Sequence, residues 1–303
     1  MMASVAVPPA MSAWTVRSNA SRPRLSVVTV TYNDPAGLRQ TLQSLQPLSE
    51  AWAAEVWEHL VIDAAPGISR PVLDALTDDW PLIHLERPPR GVADAFNQGL
   101  SAARGTYLWF LNGGDGLRDL AVLVKLLTLL DCDLALDFVC AGAYLYRETQ
   151  ALYPIGPRRT LLGNLIGRSW MCQQAIVYRR DSLERVGAFS TEYRVTGDYD
   201  FHLRCLVAGL RGRFTSEPMV NYDMGGGSND VAVAFAEFKQ IQRAQRAALP
   251  MWVVGANELV RTVEYGRIRV LRILAATRLG RRLRPAWAKF RRAARPRRAQ
   301  LTS

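Results

Sequence analysis

The chain has 303 residues, 49% of them hydrophobic, enough to bury a sizeable core and too many for a disordered polymer. Its formal charge is +11, yet residues 261–303 alone carry thirteen Arg and one Lys against one Glu, a local +13 that leaves the body at about −2. The basic character therefore belongs to the C-terminal tail, and a near-neutral body argues against a nucleic-acid binder.

Residues 1–23 are rich in Ala, Ser, Pro and Val and show no basic start followed by a long apolar run. They read as a loose tail and not a signal peptide, so the expected location is cytoplasmic. Leu25-Ser26-Val27-Val28-Thr29-Val30 is a nearly continuous β-branched run, the pattern of a strand buried on both faces. The turn Asn33-Asp34-Pro35 follows, then Leu38, Leu42 and Leu45 at helical spacing, with Pro47 expected to end that helix. His59 to Asp63 predicts a second buried strand, Val72, Leu73 and Leu76 a helix, and Ile83 to Leu85 a third strand stopped by Pro88-Pro89. Ala93 to Ala103 predicts another helix and Tyr107 to Leu111 a fourth strand. This alternation predicts an α/β fold with a mostly parallel sheet and helices on both faces. Ligands of such sheets sit beyond the carboxyl ends of the strands. Thr31-Tyr32-Asn33, Asp63, Pro89-Arg90 and Asn112-Gly113-Gly114-Asp115 all fall there.

After Asp115 the pattern changes. A helix is predicted from about Leu117 to Leu130, strand-like pieces at Phe138–Cys140, Ala143–Tyr146 and Ala175–Tyr178, and a helix from about Asp200 to Ala208. Gly225-Gly226-Gly227-Ser228 is a break, beyond which the chain reads as helical and increasingly Arg-rich. The expected division is a tail over 1–23, a domain over 24–228 with halves 24–115 and 116–228, and a helical extension over 229–303. No apolar run approaches the ~20 residues of a spanning helix. Cys132, Cys140, Cys172 and Cys205 form no CxxC, and with three His in the chain they predict no structural zinc site. His59, His84 and His202 sit in apolar neighbourhoods and read as structural.

In the tail, Ile268, Leu271, Ala275, Leu279, Leu283, Trp287 and Phe290 recur every three or four residues with Arg between them. This is the pattern of a basic amphipathic helix lying on an anionic membrane surface, where each basic residue contributes about 1 kcal/mol. Residues 261–303 are thus expected to meet such a surface, making the protein peripheral on the inner face of the cytoplasmic membrane. The plainer alternative is a C-terminal helix packed on the domain.

Two acidic positions carry the chemistry. Asp115, at the exit of the fourth strand, can meet a metal or a metal-bound phosphate; its plainer reading is a helix N-cap. Asp198, within Thr196-Gly197-Asp198-Tyr199-Asp200-Phe201, can act as a base on the far side of the same cleft, with Asp200 as its competitor. A metal on one side of a reacting carbon and a base on the other is what group transfer from a diphosphate requires.

Six segments in order carry a resemblance. They are Val30-Thr31-Tyr32-Asn33; Ile62-Asp63; Gly91-Val92-x-Asp94-Ala95-x-Asn97-x-Gly99; Phe110-Leu111-Asn112-x-Gly114-Asp115; Gln174-Ala175-x-x-Tyr178-Arg179-Arg180; and Asp198-Tyr199-Asp200. Over about residues 24–228 the chain resembles the family 2 glycosyltransferases of GT-A fold, and within them the bacterial branch that builds exopolysaccharides and glycolipids. The resemblance implies a metal-dependent, inverting transfer of a sugar from a nucleotide-diphosphate donor to a glycan or lipid-linked acceptor. It implies that Thr31, Tyr32, Asn33 and Asp63 hold the nucleotide and that Asp94 and Asn97 frame nucleotide and donor sugar. Asn112 is likewise expected to bind the nucleotide sugar, Asp115 to ligate Mn²⁺ or Mg²⁺, and Asp198 to be the base.

The chain also departs from the family pattern. Asp63 is followed by Ala64-Ala65-Pro66-Gly67, without the Ser and second Asp common there, and Gln173-Gln174 replaces the usual His-Gln pair. The metal motif holds a single carboxylate, so the ion is expected to arrive mainly on the donor's phosphates. Two other readings stay open: a non-catalytic binding relative, and a nucleotidyltransferase of similar fold. The latter would want a Gly/Arg/Lys-rich triphosphate loop, which Thr31 to Gly37 lacks.

Overall fold

The computed structural model describes residues 22–147, 150–165, 171–225 and 231–245, with isolated positions between 249 and 266. The chain forms two compact units, residues 1–165 with 169–248, and residues 166–168 with 249–303. Every element below belongs to the first. The expected amphipathic helix from Ile268 to Phe290 and the tail up to residue 21 lie outside the described residues.

The first half is built from β1 (Leu25–Thr31), α1 (Pro35–Ala51), β2 (Trp57–Asp63), α2 (Pro66–Leu73), β3 (Leu82–Glu86), α3 (Val92–Ala102) and β4 (Tyr107–Asn112). These strands pair in parallel in the order β3-β2-β1-β4. Both faces are covered, which is why β1 and β2 are buried at every residue. On one face Val27, Val61, Trp109 and Leu111 pack with the leucines of α1. On the other, α3 lies so close to β1 that a Cβ on Gly99 would stand 2.2 Å from a Val28 methyl.

Helix α1 runs straight through Pro47, where the sequence predicts its end. Proline inside a helix costs about 3 kcal/mol. Leu38, Leu42, Leu45 and Leu48 are all buried, and each contributes roughly 1.5–3 kcal/mol. Breaking at Pro47 would strand Leu48, so packing outweighs the local penalty.

The second half comprises β5 (Gly116–Leu117), α4 (Leu120–Cys132), β6 (Phe138–Arg147), β7 (Gln150–Ile155), α5 (Leu161–Leu165), a 3₁₀ turn (Gln173–Ala175), β8 (Ile176–Arg179), α6 (Arg180–Leu183), α7 (Gly197–Val207), β9 (Gly212–Asp223) and α8 (Val231–Ala244). The sheet continues from β4 as β8-β6-β9-β5, with β7 also on β6. Here the pairing is mixed: β4–β8, β8–β6, β6–β7 and β9–β5 are antiparallel, and only β6–β9 is parallel. The parallel character expected for the whole sheet thus resides mainly in its first half. Helix α4 starts at Leu120 instead of Leu117, because Gly116-Leu117 pairs with β9 and Asp119 caps the helix through the N–H groups of Ala121 and Val122. Asp115 is therefore not the cap of that helix.

Candidate active site

The end of β4 is held from three sides. From α1, the Thr41 hydroxyl donates to the Asp115 carbonyl (2.6 Å) and accepts from the Gly114 N–H (3.0 Å). From β9, the Asp223 N–H donates to Asp115 Oδ1 at 2.9 Å. From β6, the Tyr146 hydroxyl donates to the Gly114 carbonyl. Gly114 has φ +96°, a left-handed conformation that glycine adopts without strain. At Gly37 an added Cβ would stand 2.9 Å from the Gly114 N, so α1 and this loop touch backbone to backbone.

Asp115 is 2% exposed, and Asn112 Nδ2 donates to its Oδ2 at 3.1 Å. Burial pushes its carboxyl up to about 7; the hydrogen bonds from Asp223 N–H and Asn112 oppose this, and the nearby Asp223 charge adds to it. A carboxylate held at such cost is one that a cation would stabilise. Asn112 Oδ1 is buried without a partner beside it. Two hard oxygen donors, one of them unsatisfied, fit a divalent magnesium- or manganese-type ion. Among the described residues no group of three or more His, Cys, Asp or Glu side chains is gathered into a metal cage.

Other expected donor-site residues line the strand ends. Tyr32 is 57% exposed just beyond β1, and Asn33 follows at φ 51°. The Thr31 hydroxyl is buried and unpaired. Asp63 is fully buried, and both its oxygens are engaged: Oδ1 accepts from Ala65 N–H (2.8 Å) and the Ser69 hydroxyl (3.0 Å), and Oδ2 meets His84 Nε2 at 3.0 Å. Asp94 sits half-buried in the first turn of α3. Asn97 spends its amide on the Phe189 backbone, donating to the carbonyl (2.9 Å) and accepting from the N–H (2.7 Å).

On the expected acceptor side, α7 begins at Gly197, three residues earlier than the sequence predicts, so Asp198 lies in its first turn. Asp198 is half-buried and accepts from the Tyr199 N–H at 2.8 Å. Burial pushes it up to about 6 against that hydrogen bond, and the Glu237 charge adds. Asp200 is buried and paired with Arg204 at 2.9 Å, whose guanidinium also donates to the Val186 and Ala188 carbonyls. Of the two aspartates, Asp200 is thus committed to structure. The Cys172 thiol, ahead of the 3₁₀ turn, is raised first by burial, and the charges of Asp115 and Asp198 add to this. His59 and His202 are buried structural residues, bonded to Thr29 and Trp80, and to Tyr178 and Gln173.

Sequence reasoning missed Thr41, Tyr146, Asp223 and Glu237. Tyr146 and Asp223 are paired neighbours at the ends of β6 and β9, and β9 itself was not foreseen. Thr41 shares a helix face with Leu38, Leu42 and Leu45, and being a polar residue on a buried face is its one visible signal.

The sequence profile described as glycosyl transferase family 2 matches residues 26–187, just over half of the chain. A PGL/p-HBAD biosynthesis glycosyltransferase of Mycobacterium tuberculosis is 28% identical over 166 residues, covering 54% of this chain and 63% of the relative. The chain thus spans less than two thirds of that relative's length. An uncharacterized glycosyltransferase of the same species is 25% identical over 193 residues, covering 62% of this chain and 70% of the relative. Among solved structures, S. aureus TarS 1-349 in complex with UDP-GlcNAc aligns with TM-score 0.58 at 17% identity, covering 74% of this chain and 66% of that one. The mannosyltransferase PcManGT from Pyrobaculum calidifontis, in complex with GDP-Man and Mn²⁺, aligns with TM-score 0.54 at 18% identity, covering 90% of this chain and 80% of that one. These structures share the fold. With a profile match that runs from β1 to α6, the chain belongs to the family 2 glycosyltransferases and has the GT-A fold.

Proposed function

We propose that the protein transfers a sugar, with inversion, from a nucleotide-diphosphate donor to a hydroxyl of a glycolipid or polysaccharide precursor. The observation that carries this reading is the pair of carboxylates: Asp115 buried at the end of β4 beside the unpartnered Asn112 Oδ1, and Asp198 in the first turn of α7, while Asp200 is occupied by Arg204. The glycolipid-related name of the mycobacterial relative supports the acceptor class. The UDP-GlcNAc and GDP-Man bound to the structural neighbours support the donor class.

In this reading Tyr32, Asn33, Thr31 and the backbone near Asp63 bind the nucleotide. Asp63 contributes by fixing the β2 end and His84, since its own oxygens are taken. Asp94 faces the donor sugar, and Asn97 pins the Phe189 segment against α3. Asp115 and Asn112 Oδ1 would hold a divalent ion whose charge offsets that of the departing diphosphate. Asp198 takes the proton from the acceptor hydroxyl, which contributes on the order of 10²–10⁴ in rate. One displacement from the face opposite the leaving group inverts the anomeric carbon, and no enzyme nucleophile is needed. The Arg-rich segment 261–303 would bring this cleft to a membrane-borne acceptor. Among the described residues no helix is long and apolar enough to cross a membrane.

The test is a turnover screen of UDP-glucose, UDP-galactose, UDP-GlcNAc and GDP-mannose, with and without Mn²⁺ and with hydroxyl acceptors. Metal-dependent release of UDP or GDP supports the reading. Binding of a donor with no turnover on any acceptor would favour a non-catalytic binding role instead.

A further inference from the structure

Helices α7 and α8 both lie beyond the segment matched by the family profile, and α8 contacts the start of α7. Its Glu237 is 8% exposed and accepts four hydrogen bonds. The backbone N–H groups of Arg194 (2.7 Å), Val195 (3.0 Å) and Thr196 (2.8 Å) converge on the carboxylate, and the Thr196 hydroxyl joins them at 3.0 Å. Thr196 is the N-cap residue of α7, but its side chain makes no capping bond to the helix and turns to Glu237 instead. The entry into α7, and with it the place of Asp198 two residues on, is therefore set by a side chain from another helix.

We propose that Glu237 is a positioning residue for the Asp198 base, fixing the 194–196 turn so that the Asp198 carboxyl meets the acceptor hydroxyl, and setting the local field in which it works. This rests on the reading of Asp198 as the base. Burial pushes the Glu237 carboxyl up, but the three backbone N–H bonds and the Thr196 hydroxyl together hold it below the usual range, so it is ionised. The other titratable groups within electrostatic reach of Asp198 are Cys172, ahead of the 3₁₀ turn, and Tyr178 of β8. Burial raises both, so thiol and phenol stay neutral through the working range. Burial is the main force against ionisation of Asp198, and Glu237 is the charge that adds to it and lifts its basicity further. A base closer to neutral pH is the more effective one.

The experiment compares Glu237→Gln, Glu237→Asp and Asp198→Asn in the full chain, by kcat–pH profiles with a turned-over nucleotide sugar and by calorimetry with UDP or GDP plus Mn²⁺. In Glu237→Gln, kcat should fall about tenfold with donor affinity unchanged, and the acid limb should move to lower pH, since the opposing charge is gone. In Glu237→Asp the charge remains, so kcat falls less and the limb stays. Wild-type kcat in Glu237→Gln, or a loss with an unmoved limb, overturns the proposal. If Glu237→Gln does not fold, Thr196→Val decides: a lowered kcat with an unmoved limb supports the positioning role, and an unchanged kcat overturns it. Full activity in Asp198→Asn defeats the base assignment itself. Inactivity there alongside a wild-type Glu237→Gln defeats the positioning inference alone.

Discussion

Replacing Asp198 by Asn should slow the protein and stabilise it at once. Asn keeps an oxygen for the Tyr199 N–H but cannot accept a proton from the acceptor, so turnover should drop about a hundredfold or more. The stability gain follows from linkage. The carboxyl is raised from 3.8 to about 6 in the folded protein, so the native state holds its proton more tightly than the unfolded chain. A raised pKa contributes stability below the unfolded value, and that contribution is lost as pH rises through the folded one. Above pH 7 the buried charge therefore costs the fold up to about 3 kcal/mol, taking 1.36 kcal/mol per unit. Partial exposure and relaxation reduce this, and about 1–2 kcal/mol is expected. Urea denaturation of Asp198→Asn should show that gain at pH 8 and none at pH 4. An Asn variant that is less stable at pH 8, or equally favoured at both pH values, would refute the claim that the carboxylate is held at a cost. Its coincidence with lost turnover is what a functional group stabilised poorly by its own fold should show.

Asp115→Ala should abolish the Mn²⁺-dependent affinity for UDP or GDP in calorimetry, with circular dichroism unchanged. Asp200→Asn should leave turnover within severalfold of wild type but lower stability by about 1–3 kcal/mol in urea, because it unpairs the half-buried Arg204. Truncation before Ile268 should preserve donor hydrolysis and reduce transfer to a lipid-borne acceptor. In liposome flotation the full chain should bind anionic vesicles and release with salt, while binding to neutral vesicles, or none to anionic ones at low salt, counts against the tail's role.

Residues 24–115 were legible because their strands are buried on both faces. Burial on both sides leaves β1 and β2 as unbroken apolar runs, and turns rich in Asn, Pro and Gly mark their ends. The second half was less so. Strand β9 contains Gly212, Glu217 and Pro218 and alternates poorly, since it is half-exposed and its register with β6 shifts twice. Missing it meant missing Asp223, which lies beside Asp115. The start of α7 was placed late because its N-cap Thr196 is satisfied by Glu237, a partner with no local signature. The place of Asp115 just beyond β4 was legible from the strand pattern. That Asp63 and Asn97 have their polar atoms occupied by Ser69, His84 and Phe189 was not, because those partners are set by tertiary packing.

The central claim, one displacement assisted by Asp198, is tested most directly by the anomeric configuration of the first product. With an α-linked donor such as UDP-glucose or GDP-mannose, whichever the protein turns over, proton NMR of the freshly formed glycoside should show the β anomer. An α-linked product would mean that the configuration is retained and that Asp198 does not act as the base of a single displacement.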